Sequence, residues 1–143
     1  MTQFVEIEFG SPLYKAELDL RDRLLRIPLG LDIRSDDLTT EQEYRHFGIL
    51  QDNILVACLV AVPRDPGQMQ LRQIAVEEYL QGKGIGRIIM QKAEAILAEA
   101  GVDCLVLNSR DTAVGFYQRL GYEPVGEGFV EVGIPHRRME KRV

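Results

Sequence analysis

Apolar residues return along this chain at two spacings, and the changes between them predict its elements. Phe4, Ile7 and Phe9 alternate imperfectly with Glu6 and Glu8, which predicts a strand over 3–9; Gly10-Ser11-Pro12 then supplies turn and helix-start chemistry. Leu13, Ala16, Leu20, Leu24 and Ile27 recur at three and four residues, with Arg21, Asp22, Arg23 and Arg26 on other faces, so an amphipathic helix should run to just before Pro28 and Gly30. Residues 32–40 are polar and aperiodic, either an ordered loop or a short helical connector. Residues 44–50 and 54–62 flank the polar break Gln51-Asp52-Asn53 and read as an antiparallel hairpin.

After Pro63-Arg64-Asp65-Pro66-Gly67, a strand over 68–76 changes parity, from Met69 and Leu71 to Ile74 and Val76. One inserted residue near Arg72-Gln73, a β-bulge, would do this. Ile85, Ile88, Ile89, Ala93, Ile96, Leu97 and Ala100 trace one helical face that stops at Gly101. The wholly apolar run 104–107 predicts a strand covered on both faces, closing a βαβ unit whose two strands are parallel. Asn108-Ser109-Arg110-Asp111 offers capping side chains before a short helix carrying Ala113, Phe116, Tyr117 and Leu120, and residues 122–141 read as two further strands.

Composition narrows the class. With 143 residues, 45% of them hydrophobic and 27% charged, the chain suits one globular α/β domain spanning 1–143, not a disordered or disulfide-built one. Seventeen basic against 22 acidic residues give a net charge of −5, so no global positive field exists for nucleic acid or anionic lipid, and cationic amines are faintly favoured as partners. No apolar run is long enough for a membrane helix and no secretory signal is visible; the expected location is the cytoplasm, with no membrane partner. Cys58 and Cys104 stand singly in apolar segments and read as core thiols, and two isolated histidines complete no metal-ligand spacing, so no metal is expected. His46 has no diagnostic neighbour in the sequence.

The segment Gln81-Gly82-Lys83-Gly84-Ile85-Gly86-Arg87 joins a strand to the long helix. A helix start presents unpaired N–H groups, each worth about 1.5–3 kcal/mol to a charged acceptor against about 0.3–1 for the dipole alone, and Lys83 and Arg87 add formal charge. Phosphate or pyrophosphate fits there; a glycine-rich turn without a ligand is the plain alternative. The spacing matches neither a P-loop nor the dinucleotide fingerprint, since Arg87 stands three residues after Gly84.

What the segment resembles is the acyl-coenzyme-A loop of the GNAT superfamily of N-acetyltransferases, Gln/Arg-x-x-Gly-x-Gly/Ala, met by Gln81, Gly84 and Gly86. Upstream, Leu71-Arg72-Gln73-Ile74-Ala75-Val76 is similar to the family's cofactor strand, and Ala113-Val114-Gly115-Phe116-Tyr117-Gln118-Arg119-Leu120-Gly121-Tyr122 to its later helix-turn signature. Gly133-Ile134-Pro135-His136 with Met139 resembles the tail of a small bacterial branch whose acceptors are poorly defined.

The resemblance implies a mixed, mostly antiparallel sheet with a splayed parallel pair, and acetyl transfer from acetyl-coenzyme A, as cosubstrate, to a primary amine of a small molecule or peptide. A non-catalytic coenzyme-A-binding sensor or scaffold is the alternative, and a homodimer is the family-based expectation. By residue, the backbone of Gly82, Lys83, Gly84, Ile85, Gly86 and Arg87 would hold the pyrophosphate, with Gln81 opening the motif. The strand Ile74-Ala75-Val76 and Asn108 would meet the pantetheine arm, and Asn108 serves equally as a helix cap. Tyr117 matches the family's general acid, while by itself it also reads as a core aromatic. An amine of pKa about 10.4 must shed its proton before attack, at a cost near 4–5 kcal/mol at neutral pH. His136 and Glu131 are the candidate bases, and a water chain would need neither.

Overall fold

In the computed structural model, which describes residues 1–143, the apolar run after the hairpin break becomes β3 (Ile54–Pro63), an interior strand buried from Leu55 to Val62. It pairs antiparallel with β2 (Arg45–Gln51) across a tight turn in which Asp52 and Asn53 take φ of 51° and 67°, the left-handed pair a two-residue hairpin needs. β1 (Thr2–Ile7) adds to the outer side of β2 and stops two residues short of the predicted end, because Ser11 starts the next helix.

β4 (Gln68–Val76) follows β3, and β5 (Cys104–Arg110) runs parallel to β4. Then come β7 (Ile134–Arg142) and β6 (Glu123–Glu131), giving a seven-stranded order β1-β2-β3-β4-β5-β7-β6. The expected mixed sheet with one parallel pair is what forms. No helix is long and apolar enough to cross a membrane.

Helix α2 (Ile85–Glu99) connects the parallel strands and buries Ile85, Ile89, Met90, Ala93 and Leu97 on one sheet face, against Phe47, Leu59, Leu71, Leu105 and Leu107. Helix α1 (Pro12–Arg21) covers the other face through Tyr14 and Leu20, against Ile7, Cys58 and Ala75. The helical periodicity predicted to run to Ile27 is broken: after Arg21 the chain takes a wider π turn over Asp22–Arg26 and a 3-10 turn over Ile27–Leu29. The connector at 32–40 holds one short 3-10 turn, Ile33–Ser35.

Under α1 lies a cluster absent from the sequence reading. Arg21, fully buried, donates from Nη1 to Glu17 Oε2 and Glu41 Oε1 and from Nη2 to Glu41 Oε2, all at 2.8 Å. Tyr14 Oη donates to Glu41 at 2.7 Å. His46 Nε2 lies 2.8 Å from the Glu41 carbonyl and Nδ1 3.0 Å from Glu17 Oε2. Both His46 partners accept only, so both ring nitrogens carry protons, and two carboxylates balance one guanidinium and one imidazolium. Burial alone would lower the His46 pKa; the bonds to Glu17 and the Glu41 carbonyl outweigh it and raise it. Donor atoms of Glu17, Glu41 and His46 lie within 4.8 Å of one another, but Arg21 already satisfies both carboxylates.

Candidate active site

Pairing between β4 and β5 stops at Leu71 and Leu107, although both strands continue. The cause is in β4. Its register against β3 slips between Cys58 and Val60, and Gln73 takes φ of 52°, so the bulge predicted near Arg72-Gln73 is present. Beyond it β4 stays with β3 and β5 stays with β7, leaving a V-shaped gap between the two parallel strands. Glu77 N donates back to Val56 O across β3. Strand alternation therefore points the main chain of Ile74 and Val76 into the gap and that of Ala75 away from it.

At the open end of the gap the loop leads into α2. The amides of Gly84, Ile85, Gly86 and Arg87 have no acceptor within the chain, since the first helical bond is Ile88 N to Gly84 O. Gly82 and Gly84 take φ of 79° and 86°, and a Cβ on either would meet no atom within 4 Å, so both face open space. Lys83 and Arg87 are exposed and unpaired beside these amides. The donor set, the free volume and the charge together fit a pyrophosphate.

Two residues of the motif do something else as well. Gln81 Nε2 donates to the Val76 carbonyl at 3.1 Å, fastening the loop to the end of β4. Over Gly86 a Cβ would lie 3.2 Å from Phe116 Cζ, so this glycine makes room for α3 (Val114–Arg119) to pack on the start of α2.

That contact sets Tyr117 beside the loop. Its ring packs edge-on to Phe116 at 5.0 Å and to Tyr122 at 6.0 Å, while its hydroxyl has no partner within the chain. Burial pushes its pKa up to about 12, so it stays protonated at neutral pH and can donate. Tyr122 differs: its hydroxyl donates to Glu94 at 2.7 Å, and its role is structural.

Asn108 is not a helix cap. β5 runs on to Arg110, where the polar residues gain ladder bonds to β7, and α3 begins after a 3-10 turn with no capping side chain. Leu107 and Met139 face α2, so alternation turns Asn108 and Arg110, with their neighbours Arg138 and His136, to the opposite face.

His136 and Glu131 come together. His136 Nδ1 donates to the Ile134 carbonyl at 2.7 Å, so Nε2 is the ring nitrogen without a hydrogen bond within the chain, and it lies 3.7 Å from Glu131 Oε2. Phe129 stacks on the imidazole at 5.8 Å. Tyr117 and His136 thus belong to opposite faces of the sheet, Tyr117 beside α2 and His136 on β7 within the hairpin it forms with β6.

A family model described as acetyltransferase (GNAT) domain matches residues 33–143. The chain is 29% identical to the protein YyaT of Bacillus subtilis over 136 residues, 89% of this chain and 91% of that one. It is 31% identical to the protein ElaA of Escherichia coli over 115 residues, 78% of this chain and 74% of that one. The ElaA crystal structure superposes with a TM-score of 0.86 at 23% identity, over 99% of each chain. A GNAT acetyltransferase from Elizabethkingia anophelis, solved with acetyl-CoA bound, superposes at 0.75 with 17% identity over 99% of this chain and 98% of that one. These two superpositions speak for the fold.

Proposed function

Given that the chain belongs to the GNAT acetyltransferase family, we propose that it moves an acetyl group from acetyl-CoA to a primary amine of a small molecule or peptide, by direct attack in a ternary complex. The observation that carries this reading is the run of four free amides, Gly84 to Arg87, placed where β4 and β5 have separated. A gap in a sheet with a phosphate cradle at its open end suits a long, thin ligand with a charged tail.

The cosubstrate supplies a thioester carbonyl and a thiolate leaving group; the chain's own residues position and protonate. Gly84 to Arg87 bind the pyrophosphate through main-chain N–H, with Lys83 and Arg87 adding charge. Ile74 and Val76 offer main-chain bonds to the pantetheine arm, the Val76 amide remaining available while its carbonyl is held by Gln81. Asn108 borders the other side of the gap.

The division of faces gives the reaction its direction. Tyr117, on the α2 side, donates a hydrogen bond to the sulfur as charge builds there. With a pKa near 12 against about 8.5 for a cysteine-like thiol, it serves first as a hydrogen-bond donor, full proton transfer being uphill. His136, on the α1 side, takes the amine proton at Nε2 as the N–C bond forms and the C–S bond breaks, and Glu131 steadies the resulting imidazolium. The amine then adds to the thioester carbonyl from the His136 side, and the thiolate leaves beside Tyr117 as the C–S bond breaks. Holding both in this alignment is itself a large part of the rate gain.

Isothermal titration with acetyl-CoA and CoA, on the wild type and on Gly84→Glu, tests the reading. Binding to the wild type and its loss in the variant are expected. A folded wild type that binds neither ligand would overturn it.

A further inference from the structure

The register traces a row of side chains across the sheet. His46 on β2 is opposite Val60, and Val60 is opposite Arg72. Leu71 pairs with Leu107, so Arg72 leads on to Asn108, which is opposite Arg138. Cross-strand neighbours share a face, and His46 touches Glu17 of α1, so the row lies on the α1 face. One pleat along β5 stands Arg110, opposite His136, itself opposite Phe129.

Helix α1 packs across β3 and β4, and beyond its footprint Arg72, Arg110 and Arg138 are exposed. The first two hold no carboxylate, and Arg138 has a single 3.4 Å contact with Glu140. Arg21, Arg23, Arg26, Arg34 and Arg45 each hold a carboxylate at 3.0 Å or less, whereas Arg64, Arg87, Arg119 and Arg137, spread over other parts of the surface, hold none. In a chain of net charge −5, three guanidiniums, two of them without a carboxylate, gather along the gap on its α1 face, from Arg72 and Arg138 where the strands part to Arg110 at the end of β5, the face to which His136 belongs. Carboxylates on this face include Glu140 beside Arg138, Glu123 opposite Glu140, and Glu131 beside His136, while Asp36 near the bulge is already held by Arg26.

We propose that the acceptor amine carries a carboxylate or phosphate, which Arg72, Arg110 and Arg138 hold along the α1 face of the gap while the amine lies toward His136. The inference rests on the transferase reading above and narrows it to one substrate class. A guanidinium offers two parallel N–H donors to a carboxylate or phosphate, which fixes orientation as well as position. The same positive field repels polycations. Locally, the preference is the reverse of the one the net charge suggests.

Matched acceptors test it, with release of CoA from acetyl-CoA as the readout. The probes are 4-aminobutyrate against 4-aminobutyramide, phosphoethanolamine against ethanolamine, and spermidine. At least one member bearing the acidic group is expected to exceed its partner lacking it in kcat/KM by about tenfold, with spermidine the poorest. The two pairs distinguish carboxylate from phosphate. Arg110→Gln and Arg72→Gln, both at exposed positions, are expected to raise KM for the anionic acceptor about tenfold with kcat little changed, and so erase the preference. Equal use of the members with and without the acidic group, a preference for spermidine, or no turnover of either acidic acceptor by a protein that still binds acetyl-CoA in the calorimeter would each overturn the acceptor class alone. Absence of acetyl-CoA binding would overturn the transferase reading, and this inference with it.

Discussion

Arg26 Nη2 donates to Gln73 Oε1 at 3.2 Å, tying the turn that follows α1 to the bulge that opens the sheet. Asp36 holds the same guanidinium at 3.1 Å through Nε and 2.8 Å through Nη2, so the bulge is braced by a loop more than thirty residues upstream. Gln73 is not, as a strand pattern suggests, simply turned to solvent. Its φ of 52° costs a residue with a Cβ about 1–2 kcal/mol, and the bond to Arg26 offsets part of that.

Replacing Gln73 therefore separates backbone from side chain. Gln73→Gly relieves the strained φ and loses the bond, two effects of similar size, so stability should change by less than about 1 kcal/mol. Gln73→Val loses the bond and places a β-branched residue at positive φ, and should cost about 2 kcal/mol or more, several degrees in Tm. Thermal unfolding of the two variants checks the order; equal losses would mean that the bulge is not strained.

Two tyrosines five residues apart should behave in opposite ways. Tyr117→Phe keeps the packing against Phe116 and Tyr122 and removes a hydroxyl with no partner, so Tm should be unchanged while kcat falls about ten- to hundredfold at constant acetyl-CoA affinity. Tyr122→Phe takes a donor from Glu94, leaving Lys141 at 2.9 Å, and should cost about 1.5–3 kcal/mol with kcat retained. Calorimetry and steady-state kinetics on both variants decide the assignment.

Stability should fall on the alkaline side of neutrality. The folded protein holds the His46 proton more tightly than the unfolded chain does, so this contribution is complete below about pH 6.5 and is lost as pH rises through the raised folded pKa. Glu41 acts in the opposite sense: burial would raise its pKa, but the bonds from Arg21 and Tyr14 lower it, and its contribution is lost as acid protonates it. Urea unfolding across pH 4–9 should give a maximum between the two. His46→Gln should remove the alkaline slope and cost about 3 kcal/mol near neutrality, since Glu17 loses a buried charged partner.

Most elements that follow a period were legible in advance, although the period that runs to Ile27 did not foretell the π turn that ends α1. The apolar face of α2 and the parity change in β4 are local signals, and each fell where the pattern put it. The Glu17–Arg21–Glu41–His46 cluster was not, because pattern reading sends charged residues outward, and nothing in the spacing of Glu17 and His46, 29 residues apart, says that one neutralises the other. The polar run Asn108 to Arg110 misled in the same way: its side chains suit a cap, but ladder pairing with β7 decided its conformation. His136 and Glu131 were found together because a hairpin keeps sequence neighbours close, whereas the arginine row crosses β4, β5 and β7 and becomes visible only with the register.

The unzipped stretch of β4 and β5 also ties occupancy to folding. Strands that part inside a sheet leave backbone donors facing one another across a space, as two internal edges. A ligand lying there acts as the missing rung, and since the unfolded chain offers no such space, its binding energy adds to the folded state alone. At a hundred times its dissociation constant the cosubstrate would add about 2.7 kcal/mol. The lifetime of the chain against proteolysis would then follow the supply of acetyl-CoA, so that scarcity of the donor thins out the catalyst as well as starving it.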